Sequence, residues 1–519
     1  MRGFFSFLLR TKPQRLHQRM QSPLHMSQSH SRSFLFTSKV ANKSYLYPNL
    51  HYFAHFSTTG SDETLKDTEK SSQLEIEIIS EENIKPASPT QNHLKTYEVS
   101  IIDQLFPHIY TPFIYFYPNN ITTHHDANLI SKRRQLLKQS LSETLTRFYP
   151  LAGKVKDSRH IDCNDDGVYY IDAKASNLLS DFLKKQPSKS INNLLPFDPN
   201  STELLSKTYV TMIQVTVFDC GGIAIGLYAS HKIIDAYSRA TFLKAWAATA
   251  RGCLENNIHP NFIISPSTFP SNPTVPADET MLVYPESSRK NKTARFVFHA
   301  SSITSLKKKT AASTRVMAVT GLIWKCAMMA SLKTQAKDSN CDSIPRSSVL
   351  TMTVNLRERI SPPMPPYTIG NIIWGTPTIA ADDDDDDLRL SSIVQCLKES
   401  VDFINNDFIE KMREYWSVKV GELLNEMKLF HFKENTDYIL VTSICNVGIY
   451  DADFGWGRPI WVSAWRANTN VIVLMDTRSR NGIEAWVTLR EEEMTFLERD
   501  SELLAFASLN PSPLEIVDW

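Results

Sequence analysis

An α/β fold is predicted for this 519-residue chain by three observations. From about Leu94 onward, strand-like runs of β-branched and aromatic residues alternate with segments whose apolar residues recur at helical spacing. Hydrophobic residues make up 42% of the chain and charged residues 22%, enough apolar surface for a sizeable core. No period of roughly 20–50 residues repeats, which excludes a solenoid. At roughly 100–200 residues per domain, the length suggests two or three structural units.

Val99 to Leu105 is strand-like. Tyr110 to Tyr117 is aromatic and β-rich, and Pro118 stops it because proline cannot donate to a ladder. Leu136 to Tyr149 has apolar residues at 136, 137, 141, 145 and 148, a helix stripe ended by Pro150. Ile161 and Val168-Tyr169-Tyr170-Ile171 flank Asn164-Asp165-Asp166-Gly167, which predicts a hairpin. The ligand spacing of an EF-hand is absent there, so a turn is expected and not a calcium loop. Residues 209–218 and 223–230 form a second hairpin about Cys220-Gly221-Gly222. The next helix sets Phe242, Leu243, Trp246 and Ala250 on one face, with Gly252 just past its end. Residues 257–290 are rich in Pro, Ser and Asn without periodicity. A crossover loop over 257–295 is expected between a first domain at 85–256 and a second at 296–519. The second half predicts helices near 315–332, 390–405 and 491–505 and strands near 348–355, 438–444, 470–476 and 483–489.

Charge is unevenly spread. The 56 basic residues balance the 56 acidic ones, which argues against a nucleic-acid partner, since nothing would neutralise a phosphate backbone. Yet no Asp or Glu precedes Asp62, while Arg2, Arg10, Lys12, Arg15, Arg19, Arg32, Lys39 and Lys43 do. Because the whole sums to zero, residues 62–519 carry a net −8 to offset these eight charges. A Ser-rich, Arg-rich, acid-free start without a long apolar core has the composition of an organellar transit peptide. Residues 1–61 are expected to be a disordered mitochondrial presequence and linker, with a plastid or cytoplasmic location as alternatives. The import machinery is then a partner. Residues 62–90 are polar and read as a lead-in.

Elsewhere no apolar run reaches the roughly 18–20 residues needed to span a bilayer. The seven cysteines (163, 220, 253, 326, 341, 396 and 445) are scattered and lack zinc-like spacing, which fits reduced thiols in a reducing compartment. Asp382 to Asp387 is expected to be a solvated loop insertion, because adjacent carboxylates repel and cannot converge on one ion. His124-His125 is dismissed as a metal site in the same way, and no metal is expected.

The chemistry sits in two strings. His231-Lys232-Ile233-Ile234-Asp235 follows the 223–230 strand, where a rigid element can project a side chain into a cleft. A neutral imidazole there can take a proton from an alcohol near pH 7. Asp453-Phe454-Gly455-Trp456-Gly457 contains a kinase-like Asp-Phe-Gly, but the Gly-rich loop, the lysine strand and the His-Arg-Asp loop that a kinase needs are missing.

Together these strings, with Leu141-Ser142-Glu143-Thr144-Leu145, Phe148-Tyr149-Pro150-Leu151-Ala152-Gly153, Val354-Asn355-Leu356-Arg357-Glu358-Arg359, Pro362-Pro363 and Gly370-Asn371, resemble the plant BAHD acyl-CoA-dependent acyltransferases over about residues 85–515. Phe218-Asp219-Cys220-Gly221-Gly222 and Ser230 before His231 resemble the alkaloid-acylating, vinorine-synthase-like clade. The resemblance implies two chloramphenicol-acetyltransferase-like domains of similar size with a solvent channel between them, and a monomer. It implies direct transfer, with His231 as general base on a small-molecule alcohol and Thr442 as oxyanion donor. Asp235 is then structural, with Arg357 its expected partner, and Asp453, Gly455 and Gly457 are architectural. Acyl-CoA is a co-substrate and no cofactor is implied. Three departures stand out. Ala236 replaces a glycine, Ile444 replaces an aromatic residue, and the N-terminal extension is unusual. The clade and a mitochondrial address together point to tigloyl transfer onto a tropane alcohol such as pseudotropine. Acetyl transfer to another alkaloid alcohol is the alternative, and a decayed homologue that binds without turnover is the reading from another class.

Overall fold

The computed structural model describes residues 74–119, 127–184, 189–199, 201–253, 258–277, 280, 290–337, 347–380, 389–418, 436–464 and 469–515. The expected presequence, His124-His125, Cys341 and the Asp382–Asp387 run lie outside the described residues.

The first half contributes strands β1 (Ile76–Ile84), β2 (Thr96–Glu98), β3 (Tyr110–Tyr117), β4 (Lys154–Val155), β5 (His160–Asp162), β6 (Val168–Ala175), β7 (Thr211–Phe218) and β8 (Ile223–Ser230). The second contributes β9 (Asn291–Phe298), β10 (Ser347–Asn355), β11 (Ile373–Ala380), β12 (Thr436–Ser443), β13 (Trp461–Ser463), β14 (Val471–Asp476), β15 (Ile483–Arg490) and β16 (Ser508–Leu509). One sheet has the order β1-β6-β7-β8-β3-β13 and another β11-β10-β12-β14-β15-β9-β16, with β2-β5-β4 as a small third sheet.

The predicted 209–218/223–230 hairpin is the antiparallel β7/β8 pair, turning at Gly221 with φ +75°. Both strands are buried along their whole length, so each reads as a continuous apolar run. Helix Ala236–Ala250 packs on helix Ala127–Arg147, where the indole of Trp246 donates to the Leu137 carbonyl at 3.1 Å. Helix Arg315–Lys337 packs against Leu390–Phe403 and Glu491–Leu497. By length and a mean hydropathy of 1.3, its Arg315–Ala336 stretch could cross a bilayer, but 72% of that window is buried inside the fold. It is a core helix by packing.

Several expectations need correction. Residues 101–105 form a helix and not a strand: Ser100 accepts from the Asp103 N–H while the Asp103 carboxylate accepts from the Ser100 N–H, a capping box that pins the start of a run buried on every side. The turn at 164–167 exists, with Asp165 and Gly167 at positive φ, but it does not close a hairpin. β5 pairs with β2 and β4, and β6 with β1 and β7, so the turn hands the chain from one sheet to another. The polar lead-in hides β1, an edge strand whose side chains are mostly exposed and so show no apolar alternation. Helix 127–147 begins nine residues before its apolar stripe, and the last predicted helix is broken into Glu491–Leu497 and Ser501–Leu504. β9 starts inside the expected crossover. β13, from the second half of the chain, closes the first half's sheet against β3.

Gly226 lies mid-β8, where an added Cβ would meet the Leu194 main-chain oxygen at 2.0 Å. Because that contact is backbone, Gly226→Ala is expected to lower unfolding free energy by about 1–3 kcal/mol, read by urea denaturation. An unchanged midpoint would show that the β8–Leu194 approach is slack.

Candidate active site

His231 follows the last residue of β8, where the chain turns toward helix Ala236–Ala250. Its main-chain N–H donates to the Ile109 carbonyl at 2.8 Å, and its own carbonyl accepts from the Asn371 carboxamide at 2.7 Å. The imidazole lies flat on Phe106, with ring centroids 4.6 Å apart and planes 10° from parallel. Among the described residues Nδ1 is buried without a hydrogen-bond partner. The other nitrogen, Nε2, is therefore the one left to reach a ligand. Burial first, and then the charge of Arg239, push the His231 pKa down to about 4, against smaller raising effects from Asp235 and Asn371. The ring is thus neutral at physiological pH, the state a base must start from.

Asp235 turns away from this reaction edge. It caps helix Ala236–Ala250, accepting from the Ser238 N–H at 2.8 Å. Arg357 donates to it through a fork, Nη1 to Oδ2 at 2.6 Å and Nη2 to Oδ1 at 3.2 Å. The same guanidinium donates to the Thr368 and Gly370 carbonyls and lies over the Tyr237 ring. Both partners are buried, at 3% and 6% exposure, so the pair is desolvated but fully hydrogen bonded. Burial alone would raise the Asp235 pKa; the Arg357 charge and its hydrogen bonds win, and the net shift is downward.

Thr442 lies near the end of β12, half-buried, and its hydroxyl accepts from Thr353 at 3.2 Å. That bond leaves the Thr442 proton free to donate elsewhere. Thr353 belongs to β10, whose end runs on to Arg357, so one strand anchors both Thr442 and the partner of Asp235.

Asp453, Gly455 and Gly457 gather elsewhere. The Asp453 carboxylate accepts from the N–H groups of Gly455 (2.8 Å) and Gly457 (3.0 Å), and both glycines have φ +104°. A side chain at either would be strained by the backbone itself. Phe454 meets Trp246 edge-on at 4.9 Å, and the Tyr117 hydroxyl donates to the Ala452 carbonyl at 2.9 Å. Tyr110 sits opposite Ser230 and Tyr117 opposite Ile223. At 3.3 Å per residue the motif therefore docks roughly 23 Å from the His231 end of the strand pair. It leads the chain into β13.

The two substitutions, Ala236 and Ile444, are accommodated. Ala236 is the first residue of a helix and needs no special conformation. Ile444 is 3% exposed in the core, with its N–H on the Leu474 carbonyl. Ser230 is a buried support, 3.0 Å from His108 Nδ1.

Residues to which the sequence reading gave no role complete the surroundings of His231. Asn371 has its N–H on Asp103 at 2.6 Å while its side chain holds the His231 carbonyl. Burial raises the Asp103 pKa to about 6 against its hydrogen bonds from Ser100 and Asn371. Lys232 is buried and donates to the Gln104 and Phe106 carbonyls at 2.7 Å, with its pKa pushed down to about 8 by burial. The Ser-x-x-Asp capping box at 100–103 was a readable signal for this cradle. Among the described residues, no group of three or more His, Cys, Asp and Glu side chains that could hold a metal is gathered.

Comparison with known proteins agrees with this geometry. A family model described as the Transferase family matches residues 74–504. Epi-neemfruitin B 7-O-acetyltransferase of Melia azedarach is 38% identical over 464 residues, covering 85% of this chain and 100% of its own. Vinorine synthase of Rauvolfia serpentina is 35% identical over 433 residues, 82% and 96% covered. A crystal structure of vinorine synthase superposes with a TM-score of 0.70, covering 84% of this chain and 99% of that one. At 16% identity, F. sporotrichioides TRI101 shares the fold with a TM-score of 0.62. This chain is a member of the BAHD family of acyltransferases, built on the chloramphenicol-acetyltransferase-like α/β fold, and is an acyltransferase enzyme.

Arg357→Met would leave a buried carboxylate without its charge partner and is expected to cost about 3–5 kcal/mol of stability, with Asp235→Asn/Arg357→Met recovering part of it. The folded-state pKa of Asp235 lies below its ordinary value. The contribution of the pair is therefore fully present above that ordinary value and is lost as pH falls through the folded one. Melting curves between pH 3 and pH 7 check both; an Arg357→Met protein as stable as wild type would remove the structural reading of Asp235.

Proposed function

We propose that the protein is an acyl-CoA-dependent O-acyltransferase that acetylates a hydroxyl of a polycyclic plant metabolite, acting as a monomer with His231 as general base. The observation that carries this is the imidazole at the β8 corner, neutral, with Nδ1 buried and Nε2 left for the acceptor. Nε2 takes the hydroxyl proton as the acceptor oxygen bonds to the thioester carbon, and the carbonyl electron pair moves onto oxygen. Thr442, whose hydroxyl proton is not committed to Thr353, is the proposed donor to that oxyanion. The oxyanion that develops as the proton moves favours the imidazolium beside it, which offsets the ring's low resting pKa. Collapse breaks the C–S bond, and the imidazolium returns its proton to the CoA thiolate. The step balances with acyl-CoA as co-substrate, without a resident cofactor, a metal or an acyl-enzyme. Acetyl as donor is supported by the relatives named as acetyltransferases, on limonoids in Melia azedarach and on stemmadenine in Catharanthus roseus.

A second reading, tigloyl transfer onto a tropane alcohol such as pseudotropine in the mitochondrial matrix, is favoured by one observation: the acid-free, Arg-rich first 61 residues. Branched short-chain CoA thioesters are made in that compartment.

His231→Ala is expected to lower kcat by about 10²–10⁴ with the fold intact. Retention of more than a tenth of the rate would overturn the base assignment, and no turnover by wild type with any donor would leave a binding homologue. A panel of acetyl-, tigloyl-, isobutyryl-, benzoyl- and malonyl-CoA, with esters read by mass, decides between donors. A fluorescent fusion of residues 1–61 is expected to enter mitochondria; a fusion that stays cytosolic removes the tigloyl reading's support.

A further inference from the structure

Arg239 is a buried cation to which the described residues supply no hydrogen-bonded anion. It lies one turn into helix Ala236–Ala250, its N–H on the Asp235 carbonyl, and the residue is 4% exposed. Nη2 donates to the Thr111 hydroxyl, and the guanidinium lies over the Phe113 ring at 4.5 Å. Among the described residues Nε and Nη1, with three N–H bonds between them, have no hydrogen-bond partner. Asp235, the carboxylate nearest in sequence, is occupied by Arg357, Ser238 and Ile372. Among the described residues no carboxylate is hydrogen bonded to Arg239. A buried charge left in this state is costly, because desolvation is not repaid. That cost also shows in its titration: burial lowers the Arg239 pKa to about 10, against smaller raising effects from Tyr115 and Asp235.

The position is not incidental. Thr111, Phe113 and Tyr115 alternate along β3 and so share one sheet face. Thr111 and Thr211 both pair with Ala229 from opposite sides, so Thr211 is on that face too, and its hydroxyl is likewise buried without a partner. Thr111 is one strand over from Ala229, which is two residues from His231. Strand spacing and rise therefore put the two backbone positions roughly 8 Å apart. The guanidinium is also close enough to lower the His231 pKa.

We propose that Arg239 is a specificity-determining residue of the acceptor site, whose free Nε–H and Nη1–H groups take an oxygen of the acceptor, a ketone, ester or carboxylate, one or two rings from the hydroxyl that reacts at His231. The inference rests on the acyltransferase reading and adds the acceptor class. An acceptor that carries an ammonium near this point is rejected by like charge, whereas a neutral or anionic oxygenated polycycle completes the site. A site built to bond an oxygen discriminates strongly against the analogue lacking it, because its own donors are then left bare.

The test uses the full enzyme with acetyl-CoA and three alcohols: a hydroxysteroid with a ketone two rings from its hydroxyl, the same alcohol without the ketone, and pseudotropine. Expected is a kcat/KM for the keto alcohol at least tenfold above the deoxo alcohol, with no detectable ester of pseudotropine. In Arg239→Met that ratio falls to within about twofold while the KM for acetyl-CoA stays unchanged. Arg239→Lys, which keeps the charge and loses the fork, gives an intermediate ratio and serves if the Met variant does not fold. Equal rates for the two steroids, a preference for pseudotropine, no product from the keto alcohol, or a ratio that survives in Arg239→Met would each overturn the proposal. Failure of the base reading is separate, since it shows as turnover retained in His231→Ala.

Discussion

A buried ion pair, Asp235 with Arg357, holds together the corner on which everything else depends. Asp235 begins the helix that follows His231, and Arg357 follows β10 of the second sheet. The fork between them therefore ties the end of β8 to the other half of the molecule. Neither charge could remain buried alone, so the two halves of the chain are bound to meet there. Thr442 benefits from the same connection, since Thr353 on β10 holds its hydroxyl. An aspartate four residues from a base invites a charge-relay reading. The geometry gives it a different task, because its carboxylate oxygens are taken up by Arg357 and by main-chain donors.

Burial acts on the titratable groups around His231 in opposite directions according to their charge. It pushes the imidazole and Lys232 down and Asp103 up, each toward its neutral form. Asp235 escapes this only because Arg357 faces it. The outcome is a neutral imidazole among charged groups that are held in place by hydrogen bonds. Arg239 stands apart in this setting as a buried charge with no carboxylate hydrogen bonded to it among the described residues.

The second motif works at a distance. Asp453 folds the glycine turn on itself, Phe454 plugs against Trp246 and Tyr117, and the chain is then delivered to β13 beside β3. The strand bearing Tyr110 and Thr111, next to the site, is thereby covered at its outer edge by a strand from the far half of the sequence. The strand that follows the motif thereby completes the sheet.

Much of the architecture was legible in local sequence. The β7/β8 hairpin follows from two glycines between apolar runs, the helix after His231 from its stripe and Gly252, and most strands of the second sheet from their length and composition. His231, Asp235, Arg357 and the glycine motif were identifiable because short-range strings carry them. What the sequence by itself could not decide was which strings meet. β1 was hidden because an exposed edge strand has no apolar alternation. The helix at 101–105 was hidden because a fully buried five-residue run has no period. Asn371 on His231, Asp103 on Asn371 and the unmatched guanidinium of Arg239 depend on contacts between residues more than a hundred positions apart. Local propensity reaches only a few residues, so it names the parts, while burial, which forces distant polar groups to find each other or go unpaired, decides the site.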